Sequence, residues 1–382
     1  MIVLSVLDES PVPAGSSASE ALRATLSLAK ATEALGYRRY WLAEHHNTAS
    51  IAGTSPEVLV AHVASHTTTI RVGAGGVLLP YYSPLHVAEA FRTLHTLFPD
   101  RVDLGLGRAA GADVHAAAAL LQGRPEASTE EHRQRVAEVA ALVNGGALGG
   151  GPSTNGNARV TVRAMPGQPA VPGPAVPGPA VPGPAVPGPA VPGPAVPGPA
   201  VPGPAVPGPG PQVWVLGSSS DGAGLAAELG LPFCFAHFVS PAFGSQVMEL
   251  YRRSFQPSAE HPSPVAAVAV SALCAETAEL AERLATSQAI WRLRPEGGER
   301  GPLLSPEEAG AYPLSDLERL LIDQDAAKSF VGTASQVSGR LAALADAFGV
   351  AELVVRTVCH DPVQRLRSYE LLAAAFAAGP GA

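Results

Sequence analysis

Eight short apolar runs, rich in Val, Leu and Ile, alternate along this chain with stretches of helical period, and that alternation admits few architectures. The candidate strands are Ile2 to Leu7, Tyr40 to Ala43, Ile70 to Leu79, Val102 to Leu106, Val213 to Leu216, Phe233 to Ala236, Val265 to Leu273 and Leu353 to Val358. Helices are expected at Ser19 to Leu35, Pro56 to His66, Pro84 to Leu97, Thr129 to Val143, Asp221 to Leu229, Pro241 to Ser254, Glu276 to Ile290 and Ala334 to Phe348, with Pro362 to Ala378 closing the chain. Ser55 before Pro56 and Ser83 before Pro84 are good helix starts. Strands buried on both faces with a crossover after each close naturally, so the fold class is α/β, a (β/α)8 TIM barrel rather than an open doubly wound sheet. Chemistry on a barrel gathers at the rim formed by the C-terminal strand ends.

One segment breaks the pattern. Eight tandem copies of Ala-Val-Pro-Gly-Pro run from Ala170 to Pro209 and hold 16 of the 38 prolines. Two prolines in five residues oppose a helix, and a sheet ladder is not expected either. A single barrel domain over 1–382 is therefore expected, with 166–211 a disordered, polyproline-II-like insertion before strand 5. Long surface insertions add little closure entropy.

Charge narrows the partners. Lys plus Arg number 25 against 33 Asp plus Glu, a net −8, so no basic field is available to concentrate nucleic acid. No apolar run has the roughly 18 residues that span a bilayer. Cys234, Cys274 and Cys359 are far apart in apolar runs, as reduced buried thiols would be. A cytoplasmic protein without membrane contact is expected.

Four motifs fall on the barrel's chemical rim. After the second strand comes Glu44-His45-His46-Asn47. Neighbouring residues on extended chain face opposite ways, so at most one imidazole points into the mouth and a zinc site is disfavoured. Position alone leaves that histidine either an acid–base group or a satisfied rim residue. His62 and His66 stand at helical spacing but lack the Glu of a zinc-protease helix, so a packing or surface role is expected. Val72-Gly73-Ala74-Gly75-Gly76-Val77 places glycines inside a strand, the mark of a bulge, a barrel corner or a flat ligand against the backbone. Leu104-Gly105-Leu106-Gly107-Arg108 ends the fourth strand with a cation suited to phosphate or carboxylate, or to a surface salt bridge. Gly217-Ser218-Ser219-Ser220-Asp221 opens a helix, where backbone N–H groups, hydroxyls and the positive dipole end bind phosphate and where one serine also serves as a cap.

Together with Leu4-Ser5-Val6-Leu7-Asp8 at the start and Leu366-Arg367-Ser368-Tyr369-Glu370-Leu371 near the end, these motifs resemble, in order, the bacterial luciferase-like flavin-dependent oxidoreductases. The resemblance covers the chain outside the repeats. It implies reduced FMN or its deazaflavin relative F420 at the rim, and commonly a homodimer. It assigns His45 as the catalytic histidine, Arg108, Ser218 and Ser219 to the cofactor phosphate, and Gly75 and Gly76 to the strand under the ring. Gly107 stands where a true luciferase has a reactive cysteine, which argues against light emission. The segment Trp291 to Tyr312 falls where the family has a mobile lid. The implied reaction is oxygenation of a small organic substrate through a flavin hydroperoxide, with oxygen, and with FMN reduced by a separate NAD(P)H-dependent flavin reductase. The alternatives are F420-dependent hydride transfer and a flavin-binding protein without turnover.

Overall fold

The computed structural model describes every residue except 1, 109–110, 147, 153–158, 166–169, 177–200, 208–209, 295–300 and 379–382. Strands and helices alternate as β1 (Val3–Asp8), α1 (Ala18–Ala34), β2 (Arg39–Leu42), α2 (Pro56–Ala64), β3 (Arg71–Leu78), α3 (Pro84–Leu97), β4 (Val102–Gly107), α4 (Val114–Leu121) and α5 (Thr129–Val143). Two hairpin-like pairs follow, β5 (Leu148–Pro152) with β6 (Arg159–Val162) and β7 (Ala170–Val176) with β8 (Val201–Pro207). The alternation then resumes with β9 (Gln212–Gly217), α6 (Ser220–Glu228), β10 (Phe233–Ala236), α7 (Gly244–Ser254), β11 (Ala266–Ala275) and α8 (Ala278–Leu293). The chain ends with α9 (Pro306–Gly310), α10 (Asp316–Ala326), β12 (Ser329–Thr333), α11 (Ala334–Phe348), β13 (Glu352–Arg356) and α12 (Pro362–Ala378).

The sheet runs β10-β9-β4-β3-β2-β1-β13-β11, and β10 pairs with β11 to close it. All of these pairings are parallel, so the molecule is a (β/α)8 barrel. Its eight strands are the eight expected ones. β12 lies outside the ring, extending β11 over Ser271 to Ala275.

Side-chain alternation builds two cores. Leu4, Val6, Tyr40, Leu42, Val213 and Val215 face the helices. Leu7, Trp41, Ala43, Trp214, Cys234, Ala269 and Val354 face inward. Trp41 and Trp214 meet edge to face at 5.3 Å in the barrel interior. At the N-terminal end of the strands lies a buried ionic floor: Arg39 bonds Asp103 at 2.9 Å and Glu352 at 2.7 Å, while Arg71 holds the other oxygen of Asp103 at 2.6 Å.

Local starts differ in detail from the sequence reading. The first helix begins at a capping box of Ser17 and Glu20. Ser55 and Ser83 precede their helices without a side-chain bond, so proline at the first turn sets both starts. The repeat block also departs from expectation. Its two ends, β7 and β8, pair antiparallel with register shifts at Gly173, and both strands of a two-stranded ladder are edges, where proline is tolerated. Residues 177–200, on which most of the expected disorder falls, lie outside the described residues.

Candidate functional site

The loop after β2 is fixed by Glu44. Its buried carboxylate accepts the backbone N–H of Leu78 at 2.8 Å, the Tyr82 hydroxyl at 2.6 Å and His46 Nε2 at 2.7 Å. His46 is thereby tied down and packs edge-on against Tyr81. His45 turns the other way, as the alternation requires, and its Nε2 lies 3.7 Å from Glu9 Oε1 with the side chain 24% exposed. The structure therefore gives the two histidines different surroundings: one is braced, the other stands at the mouth.

Beside this loop, the β3–β4 register breaks between Ala74 and Val77, and the Gly75–Gly76 peptide is cis. Glycine is required here by close approach. A Cβ on Gly75 would meet Leu7 Cδ1 and Trp41 Cβ at 2.8 Å, and one on Gly76 would meet the Gly105 carbonyl oxygen at 2.7 Å. Strand packing alone accounts for both residues. What remains along this stretch is bare peptide.

Leu106 on β4 pairs with Val215 on β9, so Arg108 and Ser218 leave neighbouring strand ends at the same rim. Arg108 is exposed, and no carboxylate is paired with it among the described residues. Ser219 caps α6 by accepting from the Gly222 N–H at 3.4 Å, and Ser218 precedes it without a cap role. A Cβ on Gly217 would meet nothing within 4 Å, so this corner is open. Burial first, and then the cations of Arg108 and Arg135, push buried His132 down to about 4. A guanidinium with no carboxylate partner among the described residues, a serine and the first turn of a helix are groups of the kind that can hold an anionic phosphate.

Across the rim lies a pair that the sequence reading missed. Glu9 follows β1 and Arg356 ends β13; Arg356 Nη1 donates to Glu9 Oε1 at 3.0 Å. Burial opposes ionisation of Glu9, but Arg356, His45 and Arg292 outweigh it and hold its carboxyl down to about 2. The Arg356 guanidinium stacks 4.5 Å from the centre of the Phe238 ring. The two residues are 347 positions apart, and only barrel closure makes them neighbours.

Other candidates find ordinary places. His62 and His66 stack on each other at 4.7 Å. The three cysteines are buried and free, and burial pushes Cys359 up to about 11 and Cys274 up to about 12. No cluster of three or more metal-ligating side chains occurs among the described residues, and none of their helices is long and apolar enough to cross a membrane. In the expected lid segment, 295–300 lie outside the described residues. α9, α10 and β12 were not foreseen there or just beyond it.

The family model described as luciferase-like monooxygenase matches residues 2–351. A luciferase-like monooxygenase of Escherichia coli K12 is 36% identical over 97% of this chain and 96% of its own length. An N-acetyl-S-alkylcysteine monooxygenase of Bacillus subtilis is 29% identical over 99% of both chains. The crystal structure of apo-MsnO8 superposes with a TM-score of 0.77 at 34% identity, covering 99% of each chain. More distant barrels share the fold: the FMN-bound oxygenating constituent of 3,6-diketocamphane monooxygenase from Pseudomonas putida, at 18% identity and TM-score 0.61, and an F420-dependent secondary alcohol dehydrogenase, at 12% and 0.62.

Proposed function

The chain belongs to the luciferase-like monooxygenase family, and we propose that it is a flavin-dependent monooxygenase that takes externally reduced FMN and oxygen and oxygenates a small organic substrate. A separate NAD(P)H-dependent flavin reductase supplies the reduced cofactor. The protein works in the cytoplasm as a homodimer. The observation that carries the reading is the convergence, on one rim, of a free guanidinium beside a serine-started helix, a bare-peptide bulge and a mouth-facing imidazole.

In this reading Arg108 and the Ser218 hydroxyl hold the cofactor phosphate, while Ser219 fixes the start of α6 so that its N–H groups point at the same oxygens. Gly75 and Gly76 bring peptide, rather than side chain, against the ring. Reduced flavin, once bound, supplies the two electrons that activate oxygen. The chain's own work is to exclude water and manage a proton. Leu7, Trp41, Trp214 and Leu216 line the interior with apolar surface. His45 is the titratable group at the mouth, set by Glu9 on one side and the braced Glu44 loop on the other.

Reductase-coupled oxygen uptake and product formation test this directly. His45→Ala should bind FMN as the parent does and form little product. Full product formation by that variant removes the histidine from the mechanism, and anaerobic turnover with F420 replaces oxygenation by hydride transfer.

A further inference from the structure

Glu9 and Arg356 are both 6% exposed, yet their polar atoms are only half used. One contact joins them, Arg356 Nη1 to Glu9 Oε1, and among the described residues Arg356 Nε, Arg356 Nη2 and Glu9 Oε2 are buried without a hydrogen-bond partner. Buried charged groups without partners are costly, and a satisfied ion pair would have served the fold better. The unused atoms are specific in kind. Nε and Nη2 form one edge of the planar guanidinium fork, two parallel N–H groups spaced for the two oxygens of a carboxylate. The guanidinium carbon lies over the Phe238 ring, 4.5 Å from its centre, a cation–π contact beside the unused edge.

The surroundings complete a site. Leu7, Trp41, Ala269 and Val354, in the same inward-facing cluster as Phe238, supply apolar walls. In the ring of strands, β1 and β13 lie half-way round from β9 and β4, so this pair stands opposite the corner of Arg108 and Ser218. A cofactor whose tail is held at one corner leaves the other to the substrate. Just beyond the pair, Ile51, Trp291, Leu303 and Val358 form a small separate apolar cluster, with Leu303 bonded to Val12 and Ala14 through the backbone.

We propose that Arg356, with Glu9, anchors the polar end of the substrate: a small organic acid whose carboxylate takes the Nε and Nη2 edge while its apolar remainder fills the barrel mouth. A donor next to that carboxylate is met by Glu9 Oε2. The word substrate rests on the monooxygenase reading; the carboxylate anchor belongs to the chain without cofactor.

The test uses flavin-free protein and three probes of equal chain length, hexanoate, hexanamide and hexanol, read by quenching of tryptophan fluorescence and by thermal shift. Trp41 and Trp214 lie inside the barrel and Trp291 in the neighbouring apolar cluster, so occupancy is visible. Hexanoate should bind saturably and about tenfold or more tighter than the other two. Arg356→Met should abolish that preference, and so should Glu9→Gln/Arg356→Met, which removes both charges and avoids stranding Glu9. Equal binding of the three probes, no saturable hexanoate binding, or a preference that survives in the double variant overturns the proposal. A parallel FMN titration separates the two readings: hexanoate selectivity without FMN binding leaves the anchor and removes the flavoenzyme, and the converse leaves the flavoenzyme and removes the anchor.

Discussion

Arg39→Met should strip the barrel floor of its central cation. The Arg39 side chain is 2% exposed, and it bonds Glu352 through Nε at 2.7 Å and Asp103 through Nη1 at 2.9 Å. The two carboxylates do not suffer equally. Asp103 keeps Arg71 at 2.6 and 2.9 Å and the Trp41 indole at 3.0 Å. Among the described residues Glu352 keeps only the Ser5 hydroxyl at 2.6 Å and Arg38 at 3.9 Å, and Arg38 is half exposed. The stranded charge is thus Glu352, and breaking a buried pair in this way costs roughly 3–5 kcal/mol. Methionine fills much of the volume that the Arg39 stem occupies beside Trp214, so the loss is mainly electrostatic. Equilibrium urea denaturation followed by far-UV circular dichroism measures it. Adding Glu352→Gln to Arg39→Met should recover about 1–2 kcal/mol, because the uncompensated charge is then gone. FMN affinity of either variant in its folded state should match the parent, since the floor is at the end of the barrel away from the rim. A loss below about 1 kcal/mol for Arg39→Met, or no recovery in the double variant, refutes the assignment of Glu352 as the stranded group.

Three further expectations follow from particular contacts. Arg108→Ala should weaken FMN by about ten- to a hundredfold and leave riboflavin nearly unchanged, since a single charge-assisted contact to phosphate is removed; equal losses for both ligands in parallel fluorescence titrations would place the arginine elsewhere. Ser219→Ala should lower stability by about 1 kcal/mol through loss of the α6 cap, a change that thermal melting resolves. Glu33 accepts the backbone N–H groups of Thr68, Thr69 and Ile70; despite an opposing effect of burial, these hold its carboxyl at about 2 against an ordinary 4.5. A depressed folded-state value stabilises fully above pH 4.5 and is lost as pH falls towards 2. Glu33→Gln should therefore be about 1 kcal/mol less stable than the parent at pH 7, after discounting for solvent, with denaturant midpoints converging across that acid window.

The ring of strands could be read in the sequence because each is a short, doubly buried run bounded by a helical period. Ala334–Phe348 and Pro362–Ala378 were legible to the residue for the same reason. β12 has five residues with a glycine among them, and α10 buries no side chain, so neither carries a pattern that periodicity can detect. The divergence of His45 and His46 followed from strand alternation, whereas the brace on Glu44 depends on Leu78 and Tyr82 from another crossover. Glu9 with Arg356, and Arg39 with Asp103 and Glu352, were illegible because each partner comes from a strand distant in the chain. A proline at every second or third repeat position argues against a helix, but two edge strands can pair between prolines, as β7 and β8 do at the described ends of the block.

The most direct test of the flavoenzyme account is titration of the purified protein with FMN, reduced FMN and F420 under controlled oxygen. Saturable binding of reduced FMN, followed by oxygen consumption on admitting air, is the expected result. Binding of F420 alone, or of none of the three, would contradict it.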